Sequence, residues 1–161
     1  MAEDFWAARR YMLRPIPEIF QAADLLNSAA DAHLNGNGAL AADLLRQADM
    51  PVLSQWTEAL WGAQNKDIHR FRPIENLPPL QQKSQQRMPD AKIRKALIER
   101  DGYHCRYCGI PVVRQETRNR IRKLYPDALR WAAGNKNQHA AFQCLWLTYE
   151  HVVPHCRGGD N

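Results

Sequence analysis

The stretch "IRKALIERDGYHCRYCGIPV", Ile93 to Val112, decides the fold. Its first half has a helical pattern: Ile93, Ala96 and Leu97 share one face, with Lys92, Arg94, Lys95 and Arg100 elsewhere. Asp90 stands at the N-cap position, where a carboxylate can accept the first unpaired N–H groups, and Asp101-Gly102 ends the helix. The second half places Cys105-Arg106-Tyr107-Cys108-Gly109 between two short β-type stretches. Two thiolates at this spacing on a tight turn can bind one side of a tetrahedral Zn²⁺. A redox pair has the same spacing, but the βαβ context of a thioredoxin-like motif is missing. Zinc is the preferred reading, and the site is incomplete. There is no second Cys-x-x-Cys, Cys144 and Cys156 are isolated, and His104, His139 and His155 lack ligand spacing. Cys144, inside AAFQCLWL, reads as a small buried residue.

Upstream, the pattern is helical. FWAARRYML runs to Pro15, then PEIFQAADLLNSAADAHL opens on Pro17 and places Ile19, Phe20, Ala23, Leu26 and Ala30 on one face. NGNG at 35–38 is a turn, followed by helices over ALAADLLRQAD and PVLSQWTEALWG. Trp6, Trp56 and Trp61 are expected in the core of this module. Residues 64–89, with four prolines and a glutamine cluster, read as a linker. The expected organisation is therefore a helical module over 1–63, a linker over 64–89 and a second domain over 90–161.

Downstream, RQETRNRIRKLYPDALRWAAG reads as basic helical turns interrupted by Pro126, and NKNQHAAFQCLWLTYEHVVP, 135–154, ends as an apolar strand. The chain closes on TYEHVVPHCRGGDN, Thr148 to Asn161. Adjacent strand residues point to opposite faces, so Glu150 and His151 can serve one site only near a strand end or bulge. There a carboxylate can hold Mg²⁺ while a neutral imidazole takes a proton from water.

Charge is unevenly distributed. Residues 1–65 hold 4 Lys/Arg against 8 Asp/Glu, a net −4, and residues 66–161 hold 18 against 9, a net +9. The basic half suits a polyanion, since Lys and Arg release counterions from phosphates; the acidic half suits a protein partner or a dimer contact through residues 1–63. No apolar run approaches the roughly 20 residues of a membrane span. The N-terminus has no signal-peptide core, so the expected location is cytoplasmic, with thiols rather than disulfides.

Together, "IRKALIERDGYHCRYCGIPV" and "LTYEHVVPHCRGGDN" resemble the HNH endonucleases, or ββα-metal nucleases, over about residues 88–161. The resemblance implies an α+β arrangement, a mainly helical N-terminal module joined to an HNH ββα-metal domain with a zinc knuckle, incomplete at its C-terminus. By the same resemblance Glu150 is a metal ligand, His151 the general base, and Cys105 and Cys108 half of a structural Zn²⁺ site. Pro154 and Arg157-Gly158-Gly159 match the loop after the family's acidic-His pair. The implied activity is hydrolysis of DNA phosphodiesters with Mg²⁺ or Mn²⁺. Arg106, Arg114, Arg118, Arg120, Arg122, Lys123 and Arg157 are the expected nucleic-acid contacts. Here the pair is Glu-His where Asp-His is commoner. The family's second Cys-x-x-Cys and metal-binding helix have no counterpart before Asn161, so this chain is expected to be a partial or inactive piece that binds DNA without cutting it. The alternatives are a non-catalytic nucleic-acid-binding zinc module, or a nuclease subunit of a larger defence or mobile-element complex.

Overall fold

The computed structural model describes residues 12–61 and 88–151. The first described helix, α1, runs Pro17–Leu34. Proline is tolerated at its start because the first amides of a helix have no intrahelical acceptor to lose. At the other end the Asn35 and Gly36 amides bond back to the Asp31 and His33 carbonyls, and Gly36 takes φ +78°, a left-handed conformation that favours glycine. Asn37 then caps α2, Gly38–Ala48, its side-chain oxygen accepting from the Leu40 amide at 3.1 Å. α3, Pro51–Trp61, again opens on proline.

Small side chains set the packing of these helices. α1 buries Ile19, Ala22, Ala23, Ala29 and Ala32, and α2 buries Ala41, Leu45 and Ala48, so the two backbones can approach closely. Of the expected face of α1, Ile19 and Ala23 are buried and Leu26 packs half-buried against the core, whereas Phe20 and Ala30 are exposed and Ala22, Ala29 and Ala32 complete the buried stripe. Of the expected core tryptophans, Trp56 is buried and donates its indole N–H to the Arg14 carbonyl at 2.9 Å, whereas Trp61 is 64% exposed. Trp6 and residues 5–11 of the expected helix over 5–13 lie outside the described residues, and Met12 and Leu13 are bends rather than helix.

Residues 104–147 belong to the same compact unit as residues 12–61. They contain α5, Gln115–Leu124, and a short helix α6, Ala140–Cys144. One core cluster joins Ile19, Ala22, Leu53 and Trp56 to Ile110, Ala140, Ala141, Cys144 and Leu145. A second joins Ala29 and Leu45 to Ala128, Leu129 and Phe142. The described chain therefore does not divide at the expected boundary between 89 and 90.

Residues 88–103 and 148–151 fall in the other unit. It holds α4, Ala91–Asp101, capped as expected by Asp90 Oδ1, which accepts from the Ile93 amide at 2.8 Å. The helix ends at Gly102, at φ +65°. No residue of α4 is fully buried; Ile93, Leu97 and Ile98 are half-buried.

The expected α+β class is overturned. The described residues are mainly helical and contain no sheet, only three isolated bridges: His104 with Pro111, Val113 with Trp146, and Trp131 with Gln138. Two causes are visible. Pro111 has no N–H to continue a ladder beyond the first pairing. The run AAFQCLWL places Ala140, Ala141, Cys144 and Leu145 at helical spacing, and α6 with its C-cap Leu145 buries all four against the N-terminal helices, within a segment expected to end as a strand.

Candidate functional site

The knuckle is a closed turn. His104 and Pro111 bridge in antiparallel fashion, the Cys105 amide donates to the Ile110 carbonyl at 2.8 Å, and the Gly109 amide donates back to the Cys105 carbonyl at 2.8 Å. Gly109 at φ +74° supplies the left-handed residue that this reversal requires. Ile110 is buried in the core cluster, and both cysteines pack half-buried against it. Their sulfurs interact directly. A hydrogen bond from the Cys108 thiol holds Cys105 down, to about 5, against burial; the Cys108, Tyr107 and Gly109 amides assist. Donating that bond, together with burial, pushes Cys108 up. Amides and a neighbouring thiol converging on one sulfur favour a thiolate, the form that binds metal. The pair therefore fits one half of a tetrahedral thiolate site. Among the described residues no group of three or more His, Cys, Asp or Glu is gathered to complete it.

Glu150 and His151 lie in the other unit, outside any regular element; Glu150 is exposed and His151 half-buried. A single exposed carboxylate does not by itself fix a divalent ion. Pro154, Arg157, Gly158 and Gly159 lie outside the described residues.

The expected nucleic-acid contacts separate into two kinds. Arg106 is exposed on the knuckle, and Arg114, Arg120, Arg122 and Lys123 are exposed on or beside α5, with Arg114 pairing with Glu116 at 3.3 Å. Arg118 is different. It is only 5% exposed, so it is not a surface contact. Its guanidinium carbon lies 3.8 Å from the Trp131 ring centroid and 5.0 Å from that of Trp146. The two indoles meet edge to face at 5.7 Å, with the cation in the angle between them. Nη2 donates to Asn119 at 3.2 Å, while Nε and Nη1 are buried without a partner. Burial, then repulsion from Arg122, lowers its pKa. The sequence did hold a signal for this placement. Arg118, Ile121 and Tyr125 recur at helical spacing, and all three face inward.

A further buried polar cluster joins distant parts of this unit. His139 precedes α6 and its Nε2 lies 2.8 Å from the Leu45 carbonyl, among the last carbonyls of α2. Asp49, just past α2, accepts the Ala140 amide, the first of α6, at 2.7 Å and pairs with Arg130. Each helix end thus supplies the partner that the other end lacks.

No helix among the described residues is long and apolar enough to cross a membrane. No protein-family model, curated protein or solved structure matches this chain.

Proposed function

We propose that this chain acts on nucleic acid as a metal-dependent endonuclease that hydrolyses phosphodiester bonds. The observation that carries the reading is the closed Cys105–Cys108 turn in the same unit as an α5 whose basic residues, Arg118 excepted, face solvent. Zn²⁺ held by Cys105 and Cys108 would stabilise the fold around the turn. His151 is the proposed general base, taking a proton from the attacking water, and Glu150 the acidic residue beside it. Because Glu150 alone does not fit a divalent site, the role of His151 rests on the sequence resemblance. Arg106, Arg114, Arg120, Arg122 and Lys123 would attract the phosphate backbone.

A second reading is a nucleic-acid-binding zinc module without catalysis. Nicking of supercoiled plasmid in Mg²⁺ or Mn²⁺, by the protein and its His151→Ala variant, separates the two. Nicking that the variant loses supports the endonuclease. Salt-sensitive DNA binding with no nicking by either supports the binding module. If neither binding nor nicking occurs, both readings fail.

A further inference from the structure

We infer that Trp146 is a stacking surface for an unpaired nucleobase, held in place by Arg118 and Trp131. The inference rests on the nucleic-acid reading above and adds the form of strand recognised. Trp146 is 41% exposed although its backbone is bridged to Val113. Its ring is fixed by contacts on the protein side. Arg118 lies 5.0 Å from its centroid, and Trp131 meets it edge to face. An aromatic ring that is already ordered loses little further freedom when a base stacks on it.

The second observation is Arg118 itself. A guanidinium whose Nε and Nη1 are buried and unpartnered among the described residues is costly in a fold where a leucine or methionine could fill the same slot. Cation–π contact with two indoles offsets part of that cost and locks both rings. No carboxylate among the described residues pairs with Arg118, so its charge adds to the positive potential at Trp146. Arg122, close enough to repel it, adds more from the surface. A flat aromatic face backed by uncompensated positive charge matches the two parts of a single strand, a base that stacks and a phosphate that is attracted. A duplex offers the phosphate but keeps its bases stacked on each other.

The test follows tryptophan emission while the protein, Trp146→Phe and Trp146→Leu are titrated with oligothymidylate and with a duplex of equal length. The single strand should quench the emission of the protein. Trp146→Phe should keep the affinity and lose most of the quench. Trp146→Leu should weaken single-strand binding roughly 5- to 150-fold, the span found when base-stacking aromatics are truncated, and leave duplex binding unchanged. Circular dichroism checks that the leucine variant is folded; if it is not, the phenylalanine variant decides, because a retained quench would overturn the assignment. Single-strand affinity unchanged in a folded Trp146→Leu, or binding of duplex alone, would overturn the stacking surface and leave the nucleic-acid reading standing. Binding of neither would overturn both.

Discussion

Acid should destabilise the larger unit through one residue, His139. Its side chain is fully buried, with Nε2 2.8 Å from the Leu45 carbonyl. A carbonyl can only accept, so Nε2 carries the proton of the neutral ring and Nδ1 is bare. Nδ1 has no hydrogen-bond partner among the described residues; Asp49 Oδ1 lies 4.0 Å away and is already taken by the Ala140 amide. Burial holds the His139 pKa below its usual value; the Leu45 carbonyl and Asp49 oppose this, and Arg130 reinforces it. The folded state therefore prefers neutral His139, while the unfolded chain protonates near pH 6.5. Stability should be complete above that pH. It should fall on acidification by up to about 1.4 kcal/mol per pH unit, until His139 also protonates in the fold. That is a sizeable share of the roughly 5–15 kcal/mol typical of a domain. Urea unfolding at about pH 7.5 and about pH 5.5 measures it, with His139→Gln as the control. The glutamine amide can still donate to Leu45 but does not titrate. The stability gap between protein and variant should shrink by roughly 1 kcal/mol across that interval. A gap that stays constant would show that His139 does not protonate preferentially in the unfolded chain, and the reasoning fails.

Asp49→Ala should cost about 1–2 kcal/mol in urea unfolding, as for a lost N-cap, and Asp49→Asn distinctly less, because the amide oxygen can still accept from Ala140; equal losses would refute the capping role. The ion pair with half-exposed Arg130 should add little. Deleting residues 1–63 should abolish cooperative unfolding of 104–147, since Ile19, Leu53 and Trp56 leave the shared core; a cooperative melt would contradict it. Purified protein should retain zinc well below one per chain, and one zinc that Cys105→Ala removes would show that other residues complete the knuckle. DNA affinity should fall with salt, and Arg120→Ala should reduce the log–log slope by about 1; an unchanged slope would show that Arg120 does not reach phosphate.

What the sequence revealed was local. Pro17, Pro51, Asn-Gly at 35–36 and Asp90 are punctuation whose physics acts within a few residues, and α1, α2, α3 and α4 begin or end on them. The knuckle turn was legible for the same reason, since Gly109 and the cysteine spacing specify it together. What it hid was non-local. Leu45 and His139 meet across 94 positions, and His33 and Tyr125 across 92. Composition assigned residues 1–63 and 90–161 to separate domains, yet burial of alanine-rich faces joined 12–61 to 104–147. Arg118 was hidden by its type. Arginine in a basic helix counts as surface charge unless its register with Ile121 and Tyr125 is weighed more heavily. The Glu150–His151 pair is a different case: its chemistry was read from resemblance, and its surroundings include residues outside those described.

The knuckle's dependence on distant residues bears on how a metal would act there. In a small zinc finger the ion supplies most of the folding free energy, because little else gathers its ligands. Here the turn is closed by the Cys105–Ile110 and Gly109–Cys105 hydrogen bonds and anchored by buried Ile110. Val113, three residues beyond Ile110, exchanges backbone bonds with Leu145 and Leu147 at 2.6 and 3.1 Å. The C-terminal flank of the turn is thus tied to a core that α1 and α3 help to build. The two sulfurs are side by side because of that packing, so the ordering cost of bringing them together is already met by hydrophobic burial. A metal meeting this pair would gain affinity from preorganisation, and the N-terminal helices, although they carry no candidate ligand in the described residues, would contribute to that affinity through the core.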